Sequence, residues 1–322
     1  MTLDAHQFPT EGVPVIAIKT DTDLIAAVPA LLRCVPTDAV TVVFFTADSA
    51  VAATARFDYE GFVEGLTQWC SGDAAAHPVT EVAAYAAAII SPATPPTTAD
   101  IRSYSSALLD QMPALGITVN RILITTGFTE GRWVDVLSGD RGEVVDYRTT
   151  NIVASTVADG AVIASSDIEI EVEASRLGDV YDGDPAAILS QADVLAAVRE
   201  HVKAHSAPPA PALLTASFTS YVEKGRFRDS VFSVLVDDPA PSADLFITLA
   251  RHARGRSRAH LLAYSAMASY FGGDSIRSRV VLNLCVQTAA GDLPTLGALA
   301  RQCLTNGVPP AEIIAQLRAY GL

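Results

Sequence analysis

Glu169, Glu171 and Glu173 occupy alternate positions in SDIEIEVEASR, residues 166–176, interleaved with Ile168, Ile170 and Val172. Carboxylates are hard oxygen ligands, so three in a row first suggest a divalent cation. The alternation reads as a β-strand, on which residues two apart share a face at roughly 6.5 Å. Such a row points one way and fans out with twist, whereas a metal needs ligands converging from several directions. The stretch is therefore expected to be an antiparallel strand whose glutamate face meets water and discourages edge pairing. Two other patterns fail similarly. His201 and His205 stand four apart on a helical stretch, but in its last turn, where the helix dipole favours cations, and no glutamate between them serves as a base. DVYDGD, residues 179–184, has aspartates at the wrong offsets for a calcium loop, with Ser190 where a bidentate glutamate belongs. The sequence nominates no catalytic residue, metal site or cofactor.

Binding chemistry has better candidates. GRWVDV, residues 131–136, sets Arg132 beside Trp133 after a glycine turn, a pair able to line a pocket by charge and stacking. Ligand crevices of open α/β sheets lie outside the carboxyl ends of strands. If TVVFFT and RILITTG are parallel neighbours, Thr46, Asp48 and Thr126 join Arg132 and Trp133 there. Arg56 and Asp58, two apart in ARFDY, have the spacing of a same-face ion pair. RHARGRSR gathers Arg251, Arg254, Arg256 and Arg258 into a patch suited to an acidic partner, a second subunit, or the acidic stretch 167–184 of this chain.

Composition narrows the classes. The 322 residues carry a formal net charge of −14, which opposes nucleic acid as a partner. Cys34, Cys70, Cys285 and Cys303 are scattered without zinc or redox spacing. No apolar run approaches the roughly 20 residues that span a bilayer, and no basic-then-apolar leader opens the chain. A cytoplasmic protein that engages neither membrane nor nucleic acid is expected. The nucleophile elbow, phosphate loop, dinucleotide fingerprint and HExxH zinc motif are all absent.

The elements that must position these residues change character along the chain. VPVIAIK (13–19), AVTVVFFT (39–46) and AVAATARFDY (50–59) read as strands, the last two as a hairpin. A helix through LIAAVPALLRC is capped by Asp21 or Asp23 and threatened by Pro29. Alanine-rich stretches 79–90 and 98–115 read as helices, then 117–127, RWVDVLS and EVVDYR as strands. Residues 149–159 read as a helix closed by Gly160, followed by the glutamate strand and a helix over 186–204. SAPPAPA, 206–212, is the expected linker. Beyond it seven short helices are expected, near 213–224, 227–236, 243–254, 259–271, 276–289, 295–305 and 310–320. The expected fold is α/β or α+β: a mixed sheet flanked by helices over 1–205, then an all-helical part over 213–322.

In order along the chain, DLIAAVPALLRCVPTDAVTVVFF, ATARFD, GITVNRILITTG, GRWVDV, LLAYSAMASYFGGDSIRSRVVLNLCVQ and NGVPPAEI resemble the actinobacterial family known as domain of unknown function 4192. The chain departs from that pattern at Arg33–Cys34, Val134 and Ser166–Asp167. The resemblance implies a fold and no activity. The leading expectation is a non-catalytic protein-interaction or regulatory protein, whose C-terminal helical hairpins, loosely tetratricopeptide-like, offer a groove to a protein partner or a second copy. The alternative is a small-molecule-binding domain or enzyme with a pocket at the strand ends. In either case the acidic stretch and the arginines are expected to attract each other and set how the two halves dock.

Overall fold

A computed structural model of the chain describes residues 2–4, 18–71, 79, 82–158 and 161–319. The expected strand at 13–19 lies almost wholly outside these residues, as does Gly160. The chain divides into two compact units, Met1–Ser166 and Asp167–Leu322.

The first unit is built on a mixed sheet of seven strands: β1 (Thr2–Asp4), β2 (Ala39–Phe45), β3 (Val51–Asp58), β4 (Tyr85–Ser91), β5 (Thr118–Thr125), β6 (Arg132–Asp135) and β7 (Arg141–Glu143). Their order is β1-β3-β2-β4-β5-β6-β7, and only β4 and β5 run parallel. Every residue of β2 is buried, as its unbroken apolar run requires of a central strand. YAAAIIS forms β4 between β2 and β5, which corrects the helix expected over 79–90. Helix propensity loses here to packing. Ala86 and Ala88 face a core that holds Phe44, Phe57, Phe62 and Trp69, whose bulk leaves room for methyl groups. Two helices cover that core face: α2 (Phe62–Cys70), which the sequence reading missed, and α3 (Thr98–Gln111).

Helix α1 (Asp21–Leu32) begins in a capping box, in which the Thr20 hydroxyl accepts from the Asp23 N–H at 3.1 Å and the Asp23 carboxylate accepts from the Thr20 N–H at 3.0 Å. Pro29 lies inside α1, which nevertheless runs on to Leu32, buried from Leu24 onward. EVVDYR does not form the expected strand: β7 ends at Glu143, and Tyr147–Thr149 make a 3-10 turn before α4 (Asn151–Ala158).

The second unit is helical: α5 (Asp167–Ser175), α6 (Gln191–Ala204), α7 (Pro211–Thr219), α8 (Gly225–Asp237), α9 (Pro239–Arg251), α10 (Gly255–Phe271), α11 (Ser275–Ala289), α12 (Thr295–Asn306) and α13 (Pro310–Ala319). The glutamate stretch is therefore a helix, not a strand. Its buried residues are Ile170 and Ala174, one helical turn apart, and Asp167 and Glu169 sit in the first turn, where the dipole favours them. The expected boundary at 206–212 is displaced as well. Val194, Val198 and Val202 form a buried stripe on α6, which packs with α7, α8 and α9, so residues before the prolines already belong to the helical unit. Its centre is α10, buried from Arg258 to Phe271 except at His260 and packed with α8, α9, α11, α12 and α13. In a solenoid each helix pair meets only its neighbours, so the tetratricopeptide-like groove is not met. Among the described residues, no helix is long and apolar enough to cross a membrane.

Candidate functional site

The five residues expected around one pocket are not brought together. β4 separates β2 from β5, antiparallel to the first and parallel to the second. Thr46 and Asp48, after β2, therefore lie at the opposite end of the sheet from Thr126, Arg132 and Trp133. Each group is instead occupied in closing a turn. The Thr46 hydroxyl donates to the Asp48 carboxylate and accepts the Ala50 N–H at 3.1 Å. That hydroxyl holds the Asp48 carboxyl below its ordinary pKa. At the other end, the Thr126 hydroxyl accepts the Arg132 N–H at 3.1 Å. Gly131 is needed there: its φ is +124°, and a Cβ would come 2.2 Å from the Thr126 hydroxyl. Arg132 is exposed, whereas the half-buried Trp133 indole donates to the Thr22 hydroxyl at 3.0 Å, pinning the first turn of α1. Alternation along β6 sends these two neighbours to opposite faces.

Sequence reasoning missed Asp135, a fully buried carboxylate. It accepts the Ile122 and Leu137 N–H groups at 3.2 and 3.1 Å and the Ser138 hydroxyl at 2.8 Å. The nearest cation, Arg121, is 3.9 Å away and also meets Asp21 at 3.2 Å. The aspartate before Ser138 and Gly139 was the available signal of such a turn. Arg56 and Asp58 do share a face, 3.6 Å apart, with Arg56 buried and Asp58 exposed. Burial pushes the Cys70 and Cys285 thiols up to about 11 and about 12, and raises Cys303 too, so all three stay protonated at neutral pH. Among the described residues, no group of three or more His, Cys, Asp or Glu side chains could hold a metal ion. His201 instead lies 3.2 Å from the Ser206 hydroxyl, and His205 ends α6 at φ +49°.

The arginine cluster is spent inside the helical unit. Arg258 is buried, yet it bonds carbonyls: Ala250 at 2.7 Å and Ala174 at 2.7 Å, with Arg176 at 3.4 Å. These carbonyls belong to the last turns of α9 and α5 or follow them, so the guanidinium occupies the negative ends of two helices. Burial, with Arg254 and Arg251 adding repulsion, lowers its pKa, and the carbonyl ring offsets that cost. Arg254 donates to the Gly178 carbonyl at 2.7 Å, Arg251 to Glu173 at 3.2 Å, and His252 to the Asp179 carbonyl at 2.7 Å. From the neighbouring helix, Arg279 meets Asp167 at 3.2 Å. Together these groups clasp α5 and the strap that follows it, residues 176–184. Arg256 turns elsewhere, to Glu223 at 3.0 Å and Asp292 at 2.5 Å. The acidic stretch and the arginines do meet, but both lie in the second unit and mostly through backbone carbonyls, which corrects the expectation that they dock one half on the other. His260 Nε2 lies 3.6 Å from Glu223, but burial lowers its pKa more than the carboxylate raises it. It is neutral at neutral pH.

What the clasp leaves outward is the far side of α5. Ile168 and Val172, four apart and opposite Ile170 and Ala174, are 69% and 54% exposed. A family model described as Domain of unknown function (DUF4192) matches residues 22–311, and the chain belongs to that family. No curated protein and no solved structure matches it.

Proposed function

We propose that the protein is a non-catalytic protein-interaction protein whose contact element is α5 with the strap 176–184. The observation that carries this reading is the exposed pair Ile168 and Val172 on the side of α5 that faces away from its own core. Apolar side chains held in water on a helix positioned by an extensive hydrogen-bonded clasp suit recognition of another chain. The ionisable groups support the same reading, since burial moves the perturbed thiols toward their inert, protonated forms. A cytoplasmic setting belongs to the proposal, in keeping with four free cysteines. The small-molecule alternative loses its geometric basis, because its lining residues stand at opposite ends of the sheet.

The test is affinity purification of the tagged full-length protein at native abundance, beside its Ile168→Asp/Val172→Asp variant. A stoichiometric partner or second copy, lost in the variant, is expected. Absence of any stoichiometric partner, together with stabilisation by a metabolite in a thermal-shift screen, overturns the reading. A ligand at one hundred times its Kd contributes about 2.7 kcal/mol, an easily seen shift.

A further inference from the structure

The strap is fastened at Gly178. Its N–H donates to the Arg251 carbonyl at 2.8 Å and its carbonyl accepts from Arg254 at 2.7 Å, while His252 donates to the neighbouring Asp179 carbonyl at 2.7 Å. A Cβ at Gly178 would come 2.6 Å from the His252 ring, and the φ of Gly178 is not positive. Close approach to that ring, and not backbone conformation, therefore calls for glycine here. Little apolar burial reinforces the fastening: α5 buries Ile170 and Ala174, and in the strap Leu177 and Val180 are exposed. Like charges gather beneath. Among the described residues the partners of Arg254 and Arg258 are carbonyls alone, whereas Arg251 meets Glu173. Burial, and then repulsion from Arg254 and Arg251, lowers the Arg258 pKa. We infer that α5 and the strap form a latch over an oxyanion site, released when a small phosphate-bearing ligand takes Arg254 and Arg258 in place of the Gly178, Ala174 and Arg176 carbonyls.

A phosphate oxygen is a stronger partner for a guanidinium than a neutral carbonyl, because both sides of the bond are charged and two parallel bonds can form. It also relieves the repulsion among the arginines, which neutral carbonyls leave in place. Arg254 is exposed, so a ligand reaches it before the strap moves, and Arg258 becomes accessible as the strap lifts. Release uncovers two apolar side chains and exchanges the carbonyl bonds for bonds to water, a modest cost. The ion pair of Arg251 with the half-exposed Glu173 adds little to it. Residues 167–184 hold seven carboxylates, and a bound phosphate would repel them and favour the open latch. The net charge of −14 opposes a long polyanion, so the ligand is small. The latch concerns the same helix as the interaction reading, but its test needs no partner, so either can fail alone.

The test is amide hydrogen exchange of the full-length protein alone, with pyrophosphate, with ADP, and in sodium chloride of equal ionic strength. Pyrophosphate should speed exchange over 167–184 about ten-fold and leave α10 unchanged. A response to ADP alone also supports the site, with the phosphate carried on a nucleoside. Gly178→Ala should open 167–184 without ligand and, since the strap no longer competes, tighten pyrophosphate binding about ten-fold in titration calorimetry. Arg254→Gln should open it too but weaken that binding at least about ten-fold. A merely structural contact would not give opposite effects on binding from two variants that both loosen the strap. Arg256→Gln, whose partners are Glu223 and Asp292, should change neither readout. Protection of α10 checks that each variant is folded. No response of 167–184 to either ligand, equal release by sodium chloride, or weakened binding in both opening variants overturns the inference.

Discussion

Helices α10 and α5 lie in the same unit and are held there by different physics. α10 is surrounded, its side chains from Arg258 to Phe271 almost all out of water, and Phe218 and Phe246 pack on Tyr264 at centroid distances of 5.4 and 5.0 Å. α5 buries Ile170 and Ala174 and is otherwise fastened by arginines reaching for carbonyls and two carboxylates. An all-round apolar helix is a core. A helix held mainly by hydrogen bonds along one edge keeps its opposite face available. Arg258 belongs to both, since it starts in α10 and ends at the last turns of α9 and α5.

The largest effect is expected in the core. Phe246→Ala removes a fully buried ring and should cost roughly 3–5 kcal/mol, read from urea unfolding of the full chain. A loss below 1 kcal/mol would mean the α10 surroundings are loosely packed. Arg258→Met keeps the stem and removes the guanidinium, leaving helix-end carbonyls without their donor. The expected cost is about 2 kcal/mol, with Arg258→Lys recovering only part, because an ammonium cannot fan out to carbonyls on two helices. Equal stability of the methionine variant and the parent protein would show that the clasp contributes nothing.

A smaller effect concerns pH. Burial lowers the His260 pKa in the folded protein, whereas the unfolded chain titrates near 6.5. Below that value the unfolded state takes up a proton that the folded state refuses, so stability falls as pH drops through about 6.5 toward the folded pKa and is full above it. His260→Leu should flatten that slope, measured by Tm between pH 5 and 8, a window set by the same unperturbed value. A steeper slope in the variant would place the proton on the folded side. The smallest effect belongs to the outward face. Ile168→Asp/Val172→Asp should change unfolding stability by no more than about 0.5 kcal/mol, because neither side chain packs on the core. A larger loss would mean the face is covered.

Legibility in the sequence followed how local the cause was. The C-terminal helices were readable because glycines end them where the backbone turns left-handed, at Gly273 (φ +73°), Gly291 (φ +101°) and Gly307 (φ +62°). β2 was readable from its continuous apolar run, its hairpin with β3 from the short turn at Asp48 and Ser49, and β5 from the strand-like ITVNRILITTG. β4 was not, since AYAAAII has helical propensity and becomes a strand only because aromatic side chains elsewhere in the chain leave space for alanine. α5 misled through its period of two: Ile168, Ile170 and Val172 look equivalent in sequence, yet one is buried and two are exposed. The candidate pocket failed on strand order, which no short stretch encodes. The arginine cluster stood out by composition, but its partners are backbone carbonyls, which carry no sequence signature at all.

Amide hydrogen exchange of the full chain separates a displayed helix, α5, from a closed core, α10, most directly. Residues 167–184 are expected to exchange well before α10. Equal protection of the two helices would show that α5 is no more displayed than α10.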